Sequence, residues 1–327
     1  MKKLFAVVLS LILVCSLFSA CSGNTEESGK SENGKISIVT TIFPEYDWTL
    51  NVLGDNAENA EVTMLLDNGV DLHNYQPTAN DMITISNCDL FICVGGKSDK
   101  WVDEVLKSAT NKDMKVIRLL DAVGASAKEE EIKEGMEAEE EDSESEEEPE
   151  YDEHVWLSLN NAETCVDSIA KALAEIDGKN ESEYYVNAKA YNDELVSLET
   201  LYSDAVKNAK VKTIVFGDRF PFRYMIEDYG LDYYAAFAGC SAETEASFET
   251  ISFLAGKVDE LQLNHVAVID GGDGKIAKTI VENTKNKNAK IVEFDSMQSK
   301  TSEDIKNGVT YLGVMQKNLE SLKTALS

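Results

Sequence analysis

From about Glu181 to Lys210 the chain carries one unbroken helical pattern. Tyr184, Tyr185, Ala188, Tyr191, Leu195, Leu198, Leu201 and Tyr202 recur at spacings of three and four, and no Gly or Pro interrupts them. Such spacing puts an apolar stripe along one helix. Strand and helix patterns alternate on both sides of it. The spacing therefore predicts a connector between two halves, each built around a mainly parallel sheet of α/β type.

In the first half, Ile36 to Ile42 reads as a buried strand, followed by a helix near Tyr46–Leu53 and a strand near Val62–Leu65. Pro77-Thr78 looks like a helix start with Thr78 as the cap. Asp89–Val94 is a strand ending in Gly95-Gly96, Trp101–Ser108 a helix and Val116–Leu119 another strand. In the second half the strands are Thr213–Phe216, Tyr233–Phe237, Val266–Ile269 and Lys290–Phe294, with a last helix over Ser302–Leu326. The expected organisation is a signal peptide at 1–20, a tether at 21–35, a first lobe at 36–180, the connector at 181–210 and a second lobe at 211–327.

The first residues set the compartment. Met1-Lys2-Lys3 precedes an apolar run from Leu4 to Phe18, too short to be a confident membrane span. Ser19-Ala20-Cys21 then resembles a bacterial lipoprotein cleavage box, with Cys21 as the lipid-modified first residue of the mature chain. The polar stretch from Thr25 to Asn33 suits a flexible tether. The expected location is the outer face of the cytoplasmic membrane. Cys88, Cys93, Cys165 and Cys240 are scattered and read as small buried apolar residues rather than a disulfide framework.

Charge excludes one class of partner. The formal net charge is −30. Phosphate binding needs clustered Lys and Arg, so no nucleic acid is expected. A negative field does favour small cations. Half of that charge lies in Glu129–Glu153, where sixteen residues are acidic and one is Lys. A run of this kind reads as a solvated loop, here spanning 126–153.

Only three histidines occur. His73 stands in Gly69-Val70-Asp71-Leu72-His73-Asn74-Tyr75-Gln76-Pro77, and His154 in Asp152-Glu153-His154-Val155-Trp156. His265 lies at a strand start outside any motif, as expected of a surface or core-edge residue. In open α/β sheets ligands gather beyond the carboxyl ends of strands. His73, Asp218, Asp270 and Asp295 all follow strands, and His154 follows the acidic run. Asp270-Gly271-Gly272-Asp273-Gly274 lacks the EF-hand spacing and the P-loop Lys, so it reads as a turn. Arg219 and Arg223 have Asp228 and Glu245 as candidate ion-pair partners. Two imidazoles with one or two carboxylates make a plausible shell for Zn²⁺ or Mn²⁺.

Taken together, these segments resemble the zinc and manganese substrate-binding proteins of bacterial ABC importers. The resemblance runs from Ile36 to the C-terminus. It is carried by Val39-Thr40-Thr41, Phe43-Pro44 and Tyr46-Asp47, then by Gly69 to Thr78 and by Trp101 after Gly95-Gly96. His154-Val155-Trp156-Leu157 ahead of Asn160 and Ala162, Tyr229-Gly230-Leu231, Glu245-Ala246-Ser247 and Phe294-Asp295-Ser296 complete it. It implies two lobes bridged by one rigid helix, with the metal between them. It also implies His73 and His154 as the first two ligands, Asp218 in the third place, usually His or Glu, and Asp295 in the fourth. Many zinc binders of this family carry a His-rich loop where this chain is Glu-rich.

The function expected is capture of Zn²⁺ or Mn²⁺ outside the cell and delivery to an ABC permease and its ATPase, by a monomer that is not an enzyme. Two carboxylates lean toward Mn²⁺, while the Irving–Williams order still makes Zn²⁺ bind tighter. A secreted metallohydrolase is the alternative from another class. It needs an open coordination position and a general base, and Glu153 beside His154 is its only candidate base, with no HExxH. A metal-dependent surface adhesin is a third.

Overall fold

In a computed structural model, the chain is described over residues 34–137, 150–241 and 245–327. The segment expected to be a signal peptide, Cys21 and the middle of the acidic run lie outside these residues. The first half contains β1 (Ile36–Thr40), β2 (Ala60–Met64), β3 (Leu90–Cys93) and β4 (Lys115–Arg118). They form an all-parallel sheet in the order β2-β1-β3-β4. The second half repeats the arrangement with β5 (Thr213–Phe220), β6 (Asp232–Ala238), β7 (His265–Ile269) and β8 (Lys290–Phe294), in the order β6-β5-β7-β8. All four residues of β3 are buried, as a strand covered on both faces requires.

The helices are α1 (Phe43–Leu53), α2 (Ala79–Asn87), α3 (Val102–Ser108), α4 (Leu119–Val123), α5 (Leu159–Ile176), α6 (Glu181–Lys207), α7 (Arg223–Asp228), α8 (Phe248–Glu260), α9 (Lys275–Asn283), α10 (Ser302–Lys306) and α11 (Tyr311–Ala325). The connector is α6, which packs on α1, α5 and α11. Its buried face is Tyr184, Ala188, Tyr191, Leu195, Leu198, Tyr202 and Val206. Tyr185 and Leu201, expected on the same stripe, are 45% and 49% exposed. They sit one position off the packed face, so spacing alone over-counted the stripe.

Two sequence expectations are revised. The last helix is two helices, because Gly308 takes φ 84° and Thr310 starts α11 by accepting from Gly313 N. The acidic run is not a solvated loop at its described ends. Glu129 bridges Tyr151, Glu137 N donates to Ala236 O at 2.9 Å, and Asp152 and Glu153 are buried. Lys128 pairs with Glu227 and Lys133 with Asp232 at 2.6 Å, so cations within and beside the run bind it to the second lobe.

The two lobes meet directly. Ser302 N donates to Asp67 O at 2.9 Å, and Trp156 Nε1 donates to Ser296 O at 2.9 Å. Among the described residues no helix is long and apolar enough to cross a membrane.

Candidate metal centre

Both sheets reverse strand order beside their first strand, so the loops at the carboxyl ends of the strands open onto a crevice. The loop after β2 carries His73. Asp71 starts a short 3₁₀ turn, Leu72–Asn74, by accepting from His73 N at 3.0 Å. Thr78 then caps α2 and Asp81 reciprocates, a capping box that fixes the exit of this loop. His154 precedes a second 3₁₀ turn, Val155–Leu157, whose three side chains are all buried. Tyr311 donates to Trp156 O at 2.6 Å, and Ser158 caps α5. The second motif is thus clamped between both lobes.

The two imidazoles face one another, with His73 Nε2 and His154 Nε2 3.1 Å apart. Each ring is held from behind. His154 Nδ1 lies 2.8 Å from Asp152 Oδ1, which also accepts from His154 N at 2.9 Å. His73 Nδ1 lies 2.8 Å from Ser98 Oγ and 3.4 Å from Glu153 Oε2. A carboxylate can only accept, so Asp152 places the proton of His154 on Nδ1 and leaves a lone pair on Nε2. Glu153 biases His73 the same way. The two Nε2 atoms lie at hydrogen-bond distance, and once both are unprotonated their lone pairs converge on one point where a cation can sit.

His154 is fully buried. Burial pulls its pKa down, but Asp152, with Glu130 and Glu153 behind it, outweighs this and the net shift is upward. Burial alone would raise Glu153, yet His73 and the Ser98 N–H hold it below the usual carboxylate range. The acids around His154 therefore favour its positively charged form.

A third potential donor atom lies beside the pair. The ligand atoms of His73, His154 and Cys240 lie within 4.8 Å of one another. Cys240 follows β6 from the opposite lobe and is partly exposed, whereas Cys88, Cys93 and Cys165 are buried. Glu130 stands beside it, its Oε1 accepting from Gly239 N at 3.0 Å. Burial, then Asp152, pushes the Glu130 carboxyl up to about 7. Burial, then Glu130, drives the Cys240 thiol well above the ordinary range.

The structure does not bring Asp218 and Asp295 into this group. Asp218 lies within β5, where the pairing with β6 shifts register between Phe216 and Arg219. Its oxygens accept from Arg219 N at 2.9 Å and from Ile269 N at 3.4 Å. Asp295 Oδ2 pairs with Lys300 Nζ at 2.6 Å, and its Oδ1 accepts from Met297 N at 2.9 Å. Asp270 shares Lys300 at 3.4 Å and accepts from Ser296 N at 2.8 Å, so this cluster holds the β7 and β8 loops together. Arg219 pairs with Asp71 across the lobes at 2.8 Å, and Arg223 with Glu227 at 2.8 Å and Glu131 at 3.4 Å, instead of Asp228 or Glu245. A cavity of about 880 Å³ runs beside the centre, lined by Asp71, Asn74, Asp218, Arg219, Ser241 and Glu245 among others.

Neither Cys240 nor Glu130 stands out in the sequence as a neighbour of the two imidazoles. Cys240 does follow a strand, like the acids, but scattered single cysteines carry the pattern of buried apolar residues. Glu130 was submerged in a run of like residues.

Two lobes of one topology, bridged by a long helix and closing on paired imidazoles, have the architecture of the two-lobed solute-binding class. Residues 38–325 match the family described as zinc-uptake complex component A, periplasmic (ZnuA), and the chain belongs to that family. It is 32% identical over 327 residues to the zinc-binding lipoprotein AdcA of Streptococcus pneumoniae (strain ATCC BAA-255 / R6), covering 99% of this chain and 61% of that protein. The chain thus spans about 61% of the length of that relative. It is 28% identical over 328 residues to the high-affinity zinc uptake system protein ZnuA of Bacillus subtilis (strain 168), covering 97% of each. The crystal structure of the Zn(II)-bound ZnuA-like domain of Streptococcus pneumoniae AdcA superposes with a TM-score of 0.69 at 28% identity, covering 90% of this chain and 99% of that one.

Proposed function

We propose that this chain captures a divalent transition metal, zinc ahead of manganese, between its lobes and hands it to an ABC permease driven by its ATPase. One observation carries the reading: the Nε2 atoms of two imidazoles lie 3.1 Å apart while an acid or hydroxyl holds each ring from behind. An imidazole whose second nitrogen is anchored by a carboxylate is the usual arrangement of a metal-ligating histidine. Membership of the zinc-uptake family supports it.

In this reading His73 and His154 are the nitrogen ligands. The acidic run adds a negative field on the approach to the centre. Asp218 and Asp295, expected as oxygen ligands, instead organise the second lobe's face of the cleft, each by the partners described above. The chain acts as a carrier, not an enzyme, and is held at the outer face of the membrane through Cys21 as a monomer. Metal bound by groups that must shed protons is released as pH falls, and delivery requires only that docking open the cleft.

His73→Ala and His154→Ala are each expected to weaken zinc binding, measured by calorimetry on metal-stripped protein, by far more than tenfold. Affinities like that of the unsubstituted protein in both variants would overturn the assignment.

A further inference from the structure

We propose that Cys240 is a metal ligand, so that the cargo is held by a His73–His154–Cys240 set that prefers zinc to manganese. The inference rests on metal capture by the two histidines and names the third donor and its consequence for selectivity.

Topology places Cys240 where a ligand belongs. β6 occupies in its sheet the place that β2 occupies in the other, next to the first strand on the outer side. The loop after β2 delivers His73, and the loop after β6 delivers Cys240 from the facing lobe. Gly239 makes the approach possible. A Cβ there would come 2.9 Å from Phe220 O and 3.0 Å from the His154 ring, so the backbone leading into Cys240 lies directly against a ligand imidazole. A tetrahedral zinc site with bonds of about 2.0–2.3 Å sets its donor atoms roughly 3.3–3.8 Å apart. The two nitrogens at 3.1 Å, and the sulfur within 4.8 Å of both, are a small adjustment from that geometry. Glu130, whose carboxyl is hydrogen-bonded by the Cys240 thiol, holds the sulfur's surroundings acidic.

The chemistry follows from the donor. On binding, the thiol proton leaves to solvent as the metal–sulfur bond forms, and the sulfur brings one negative charge directly to the ion. Thiolate is a soft ligand suited to zinc, whereas manganese prefers carboxylate and water oxygens. A sulfur donor thus separates the two metals in a way that imidazoles with carboxylates do not.

Cobalt(II) substituted into the full chain reads the sulfur directly. The unsubstituted protein with one Co²⁺ bound is expected to show a thiolate-to-cobalt charge-transfer band in the near ultraviolet. Cys240→Ser should lose the band, lose zinc affinity about tenfold or more, and keep its manganese affinity within about twofold. Cys240→His should restore zinc affinity without the band. Zinc should also slow alkylation of Cys240 by iodoacetamide in the unsubstituted protein, a measurement that needs no variant to fold. Stoichiometric Co²⁺ without the band, with alkylation indifferent to zinc, would overturn the sulfur ligand and leave the histidines standing. Failure of Co²⁺ and Zn²⁺ to bind at all would overturn the carrier reading with it.

Discussion

At the scale of single residues, the centre is an arrangement of protons as much as of ligands. Asp152 accepts from both the backbone and the ring of His154, and so fixes the imidazole's rotation and its tautomer together. Replacing a carboxylate that orients a ligand histidine typically costs 10–100-fold in metal affinity. Asp152→Asn is therefore expected to weaken zinc binding by about that factor, with the far-ultraviolet circular dichroism unchanged. An undiminished affinity would mean that Val155–Leu157 packing alone holds the ring. His265 shows the contrast. It is partly exposed at the start of β7, and burial with Lys290 lowers its pKa, the behaviour of an edge histidine with no acid behind it. What sets His73 and His154 apart from His265 is the acid behind the ring, Glu153 at 3.4 Å and Asp152 at 2.8 Å.

At the scale of elements, buried acids set the pH response of the first lobe. Asp47 on α1 is buried, accepting from Asn51 Nδ2 and Tyr191 Oη at 3.2 Å each. Burial raises its pKa to about 6, against the lesser pull of Tyr311 N and Tyr191. An unfolded Asp titrates near 3.9, so between about pH 4 and 6 the folded protein holds a proton the unfolded chain has lost. That contribution is fully present below about pH 4 and is lost as pH rises through 6. Asp47→Asn keeps the hydrogen-bond shape without the charge. It is expected to raise unfolding stability at pH 7 by on the order of 2 kcal/mol and to leave stability near pH 4 unchanged, as urea titrations at the two pH values would read. A loss of stability at pH 7 would show that the charge is compensated within the α1–α6 interface. α6 itself was legible in the sequence because an apolar stripe without Gly or Pro leaves few alternatives. The α10–α11 break was less so, since Gly308 stops a helix only where the chain after it has somewhere to pack.

At the scale of the whole molecule, a metal held by His73 and His154 of the first lobe and, as proposed, Cys240 of the second would couple binding to lobe closure. The lobes also meet through Arg219–Asp71 and Ser302–Asp67, so metal adds to an interface already partly formed. A ligand at a hundred times its dissociation constant stabilises the folded state by about 2.7 kcal/mol. Stoichiometric zinc is accordingly expected to raise the midpoint of thermal unfolding by several degrees, and the chelator-treated protein to lose that increment reversibly. A midpoint indifferent to both would mean that the ion does not bridge the lobes.

The sequence by itself determined the two α/β halves, the connecting helix and both histidine loops. Each is written in local pattern, as apolar periodicity, strand-end loops and capping residues that act within a few positions. It also pointed to Asp218 and Asp295 through their place after strands, but local position does not say which partners each carboxylate takes. A strand-end carboxylate can turn to the cleft, to a neighbouring backbone N–H or to a lysine. Ile269 N and Lys300 lie 51 and 5 residues away and decide the matter only once the sheet is assembled. Cys240 was hidden for the converse reason. Nothing near it in sequence ligates anything, and its partners lie 86 and 167 positions earlier, in the other lobe. Convergence of three donors from two lobes is a property of the packed molecule, because no local pattern encodes which strand end will face which.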